Sequence, residues 1–177
     1  MGKNTPDNNS DNLFYFYDAF CTHCEFFAIF INNNKNKFLP VILDGLKFAT
    51  VVSVINNKLG LEHCGTYSYI IYLVNKRNLS IDCVNFMFSE KIKIPLTNLV
   101  IRNKRTKKID DISKLFIFPA DGAMISFLLK VPISVDDNSM KYLTLPIMPN
   151  VDLPLLFDFI KTSIMFAEEK EDKNKQG

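Results

Sequence analysis

The sequence predicts a mostly β fold: an antiparallel β-sandwich or barrel of about eight to ten short strands, with one C-terminal amphipathic helix. Three observations carry this. Short runs of β-branched and aromatic residues recur along the chain, turn-forming residues separate them at regular spacing, and only the last apolar stretch repeats at three and four.

In order, the runs are LFYFY (13–17), EFFAIFI (25–31), FLPVIL (38–43), LKFATVVSVI (46–55), YSYIIYLV (67–74), LSIDCVNFMF (79–88), KIKI (91–94), NLVI (98–101), KLFIF (114–118) and AMISFLLKVPI (123–133). Asp44-Gly45 and Asp121-Gly122 each sit between apolar runs and can take the positive φ angles of a type I′ turn, which predicts two tight hairpins. In KIKI the alternation puts Ile92 and Ile94 inward and Lys91 and Lys93 in water, the pattern of an edge strand that Pro95 ends. At the C-terminus Asp152 is placed to cap a helix whose Leu153, Leu156, Phe157, Ile160 and Ile164 share one face. Pro146, Pro149 and Pro154 leave a terminal strand as the alternative.

With 177 residues the chain fits one domain, which at this size buries about 70% of its unfolded surface and needs no disulfide or metal. Residues 1–12 carry four Asn and two Asp, and residues 168–177 offer nothing to a core. Both are expected to be disordered tails around a single β-rich domain at 13–167. Sixteen Phe predict an interior rich in that residue. Lys outnumbers Arg eighteen to three, and Asn, Ile and Phe are heavily used, a bias toward A- and T-rich codons that suits a large DNA virus or a protist.

The start, MGKNTPDNNSDN, has no basic region followed by an apolar one. Cys21, Cys24, Cys64 and Cys83 are therefore expected as reduced thiols in the cytoplasm or nucleus of a cell. The most apolar stretch, Leu13 to Ile31, is interrupted by Asp18, His23 and Glu25, so no membrane segment is expected.

Motifs exclude more chemistry than they suggest. No Gly-rich phosphate loop occurs among only six Gly, and no Ser lies in a G-x-S-x-G turn. Two His leave few imidazole-dependent arrangements. Cys21-Thr22-His23-Cys24 has the C-x-x-C spacing that can place two thiolates on zinc, with His63 and Cys64 as further ligands. No second such pair follows, so small buried cysteines are the simpler reading, and neither cofactor, metal nor catalytic residue is expected. Asp110-Asp111 and Asp136-Asp137 read as solvated turns rather than cation ligands.

Charge is unevenly spread. Residues 35–108 hold thirteen Lys and Arg against four acids, while the rest holds eight against fifteen. The basic patch comprises Lys91, Lys93, Arg102, Lys104, Arg105, Lys107 and Lys108. It fits a nuclear import signal, a phosphate-contacting loop or a lysine-rich loop that keeps an edge soluble. Phe86 and Phe88, near Lys91 and Lys93, offer a stacking platform for bases, although alternating Phe in a strand usually faces a core.

The entry Gly65-Thr66-Tyr67-Ser68-Tyr69, the run Lys91-Ile92-Lys93-Ile94-Pro95, the AMISFLLKVPI segment and the charged tail Glu168-Glu169-Lys170-Glu171-Asp172 together resemble the baculovirus telokin-like proteins, over about residues 13–170. The resemblance implies a small antiparallel β-sandwich or barrel made in an insect-virus-infected cell, with no enzymatic activity and no catalytic residues to carry over. The acidic tail behind the family's name is here mixed with Lys170, Lys173 and Lys175.

The expected function is a non-enzymatic viral β-domain that binds a protein partner. The alternatives are a nucleic-acid-associated protein using segment 91–108, and a zinc- or cysteine-dependent protein using Cys21, Cys24 and Cys64. An exposed edge strand would also allow pairing with a second copy.

Overall fold

The computed structural model describes residues 10–22, 25–60 and 63–148, together with 152 and 155. It begins as a meander: β1 (Leu13–Cys21), β2 (Phe26–Asn32) and β3 (Lys37–Leu43) pair antiparallel in sequence order. Two helices follow, α1 (Gly45–Ile55) and α2 (Thr66–Lys76), and then the long hairpin β4 (Leu79–Ser89) and β5 (Ile94–Asn103). A 3-10 turn at Asp111–Lys114 leads to β6 (Phe116–Ile117), α3 (Pro119–Leu129), β7 (Ile133–Val135), α4 (Asp137–Leu143) and β8 (Leu145–Pro146).

All eight strands join one curled sheet, a half-barrel of order β6-β5-β4-β7-β1-β2-β3-β8. The short β7 sits at its centre, antiparallel to β1 but parallel to β4. Helix α3 supplies the core inside the curl, with Ala123, Met124, Ile125 and Leu128 buried. Phe14, Phe30 and Phe86 are fully buried beneath it, each large side chain contributing about 1.5–3 kcal/mol. Phe16 packs edge-on against Phe30 and tilts onto Phe127, centroids 5.7 and 4.6 Å apart.

A β-rich fold is what the sequence predicts, but the expected antiparallel sandwich or closed barrel with a single C-terminal helix is corrected. The sheet is mixed, and four helices pack with it among the described residues. Residues 46–55, 67–74 and most of 123–133, expected as strands, form α1, α2 and α3. Helix α3 is apolar nearly all round because it is covered on most sides, so it lacks the period of an amphipathic helix.

Asp44-Gly45 is no hairpin turn: the Asp44 carboxylate caps α1, accepting from the Lys47 backbone N–H at 2.9 Å. Asp121 and Gly122 lie in the first turns of α3, started by Pro119 at its first position. The KIKI strand is corrected too. Lys91, Ile92 and Lys93 form the β4–β5 turn, with Lys93 at φ 58°, Ile92 and Ile94 are exposed rather than inward, and Pro95 lies within β5 instead of ending a strand.

Ser10–Asn12 forms a 3-10 turn, from which Asn12 Nδ2 donates to Asp137 Oδ1 at 2.6 Å. Residues 1–9, the tail 168–177 and most of the predicted C-terminal helix lie outside the described residues. At the predicted cap, Asp152 Oδ1 accepts from the Leu155 N–H at 3.3 Å. Both edges of the sheet are two-residue strands, which offer few free backbone groups for pairing with another chain. No helix among the described residues is long and apolar enough to cross a membrane.

Candidate functional site

Helix α2 begins at Gly65, whose φ of 58° and ψ of −126° only glycine adopts readily. From there Tyr69, Tyr72 and Lys76 recur at three and four, so they share one face of the helix, and all three are exposed. The Lys76 ammonium lies 5.6 Å from the Tyr72 ring centroid.

Arg77 caps the helix, and Asn78 turns the chain into β4 through a left-handed conformation. The loop after β5 is fastened to this corner. Lys104 N–H donates to the Asn78 carbonyl at 3.0 Å, and Lys104 Nζ to Asn75 Oδ1 at 3.1 Å. Asn103 Oδ1 accepts from the N–H groups of Arg105 and Thr106, giving the loop a fixed shape. Arg102 is turned inward, paired with Asp82 and donating to the Lys107 carbonyl at 2.7 Å.

The basic patch read from the sequence is thereby divided. Lys91 and Lys93 lie in the turn before β5, whereas Lys104, Arg105, Lys107 and Lys108 lie beyond its far end, about 30 Å away along a ten-residue strand. Lys76 and Arg77 of α2 join the second group, giving six exposed cations at one corner of the fold. The sequence hid them because nothing in 79–101 announces that α2 ends beside the loop.

Beneath this corner, an apolar groove of about 620 Å³ runs between α2, β5 and the 3-10 turn, lined by Ile70, Leu73, Leu99, Ile101, Ile112 and Leu115 among others, with Arg77 on its wall. It adjoins a second pocket of about 590 Å³ through Ile70, Leu99 and Ile117. There the Tyr67 hydroxyl donates to Asp121 Oδ1 at 2.7 Å, and Lys47 Nζ lies 3.4 Å from the same oxygen while also pairing with Asp44. Burial, reinforced by Asp121, raises the Tyr67 phenol above its ordinary range. The contact with Asp44 raises the Lys47 ammonium against the opposing effect of burial. This network ties α1, α2 and α3 together.

The remaining candidates separate. Cys21 is exposed at the end of β1, and Cys24 lies outside the described residues. Cys64 is buried with its Sγ 3.6 Å from the Gly60 carbonyl, and the neighbouring His63 borders the second pocket. Among the described residues no three His, Cys, Asp or Glu gather as a metal site. Phe86 is core, and Phe88 stacks on Tyr142 at 4.4 Å, so they form no joint platform. Asp110 and Asp136 cap the 3-10 turn and α4.

No family model matches the chain, and no curated protein matches its sequence significantly.

Proposed function

We propose that the protein binds single-stranded nucleic acid at the corner where α2 meets the loop after β5. The observation that carries this reading is the exposed row Tyr69, Tyr72, Lys76 standing beside Arg77, Lys104, Arg105, Lys107 and Lys108. Aromatic faces accept bases of any sequence, and a cluster of cations holds the phosphates between them. The role is binding without a catalytic step. A protein partner, expected from the sequence, is the second reading, favoured by the exposed apolar side chains Leu115, Phe116 and Phe118 around β6.

The test is fluorescence anisotropy with labelled single- and double-stranded oligonucleotides across a salt series. Single strands should bind more tightly, with log affinity falling by about 0.7 per phosphate neutralised for each decade of salt. Changing Tyr69 and Tyr72 to Ala should cost about 1–3 kcal/mol for each base that stacks. Substituting Lys104, Arg105, Lys107 and Lys108 by Ser should flatten the salt slope, whereas Lys91→Ser with Lys93→Ser should not. No binding at low salt, or equal loss from both sets of lysines, would sink the proposal.

A further inference from the structure

The geometry points to the apolar groove between α2, β5 and the 3-10 turn as a binding site for a free fatty acid, its tail along the groove and its carboxylate at the basic corner. The lining carries the first argument. Every described residue on the groove wall except Arg77, Asn103 and Asp110 is Ile, Leu or Val. Such a wall gives a flexible alkyl chain its contacts and offers a planar ring no aromatic partner to stack on. At about 620 Å³ the groove has the size of a small-molecule site, and its rim leaves Leu115 63% exposed.

The order of groups along the groove carries the second. Arg77 caps the end of α2, Asn103 ends β5, and Asp110 is held beside that end because its N–H donates to the Ile101 carbonyl at 2.8 Å. The three polar residues therefore share one end, about 10 Å along α2 from Ile70. At the other end Ile70, Leu99 and Ile117 form an aliphatic waist that leads to the second pocket, where the buried Ile125 lies on the wall. A tail running past Leu73 and Ile101 stays on apolar surface until it has passed this waist.

Charge fixes the direction. Among the described residues Arg77 forms no ion pair, and Lys76, Lys104, Arg105, Lys107 and Lys108 stand exposed around it. Asp110 opposes them with a single charge and already accepts from the Ile112 N–H at 3.1 Å. The second pocket has the reverse balance, since Asp44 and Asp121 there outnumber Lys47. An anionic head is thus drawn to the Arg77 end, where a guanidinium can hold both carboxylate oxygens, and repelled from the other. The site does not depend on whether the same cations also hold nucleic acid.

Isothermal titration calorimetry of the full chain tests it, with octanoate, decanoate and dodecanoate, each kept monomeric below its micelle concentration. One equivalent should bind, about fifteenfold more tightly for each two-carbon step, because each buried methylene gains about fourfold. Arg77→Gln should weaken decanoate about fivefold and leave decanol unchanged. Leu115→Asp, a surface substitution that spares the core, should weaken decanoate about tenfold by setting a like charge on the rim. Affinity that does not rise with chain length, decyltrimethylammonium bound as tightly as decanoate, full affinity in Leu115→Asp, or no binding of any of the three acids would overturn the assignment. Attachment to phosphatidylserine vesicles without binding of the monomeric acids would overturn it too, and would make this face a membrane contact instead.

Discussion

Gly122 of α3 stands directly over Thr97 of β5: a Cβ built on the glycine would lie 2.5 Å from Thr97 Cγ2 and 2.9 Å from Val84 Cγ1. The helix therefore rests on the sheet at a distance that only a missing side chain permits. Gly122→Ala should cost about 2–3 kcal/mol in overpacking, the upper part of the usual range because the approach is so close, and recover about 1 kcal/mol of helix propensity, for a net loss of about 1–2 kcal/mol. Urea midpoints at constant m-value measure it, and an unchanged or higher midpoint would contradict the close approach.

Thr97 itself is fully buried, and among the described residues its hydroxyl has no hydrogen-bond partner. Thr97→Val keeps the shape and removes the unmet polar atom. Stability should hold or rise by up to about 1 kcal/mol, so a clear loss in the same denaturation series would mean that the hydroxyl has a partner.

Tyr67 gives a prediction at alkaline pH. The unfolded chain releases a phenolic proton near pH 10, whereas the folded chain holds that of Tyr67 to higher pH, so the stability linked to it is complete below about pH 10 and declines as pH rises further. Lys47, also raised, acts in the same sense. Thermal melts between pH 8 and pH 11 should therefore fall on the alkaline side, less steeply in Tyr67→Phe. Parallel curves for the two proteins would show that the half-buried phenol contributes nothing.

The thiols should differ in reactivity. Cys21 is exposed, Cys64 is buried, and burial, with Asp82 adding to it and Arg102 opposing, pushes the Cys83 thiol up to about 11. A brief maleimide pulse near neutral pH should label Cys21 and spare Cys64 and Cys83 until urea is added. Equal labelling of Cys83 and Cys21 in the native protein would refute the packing around β4.

The sequence made strands legible where the pattern is local. The runs at 13–17, 25–31, 38–43 and 79–88 coincide with β1, β2, β3 and β4 to within a few residues. It misled where burial is set by distant parts of the chain. Thr50, Val51, Val52, Val54 and Ile55 have strand-forming side chains, and the packing of α1 against α3, β2 and β1 makes them helical. Two signals did point the right way: the Asp44 carboxylate three residues before the Lys47 N–H, and Pro119 at the head of an apolar run. Of the candidate site, Lys104 to Lys108 was visible as a cluster, but Lys76 and Arg77 join it only through the α2–β4 corner, and Tyr69 and Tyr72 read as strand core until the helix turned them outward.

The place of β7 between β1 and β4, described above, also sets a timetable for biosynthesis. Phe14 faces Ile133 across the centre of the sheet, 119 positions further along the chain. At a ribosome's pace of about 5–20 residues per second, β1 waits on the order of 6–24 s for that neighbour. Until then the emerging meander has no strand along the inner side of β1 and nothing joins it to β4, so the nascent protein is most in need of a chaperone just before β7 is made.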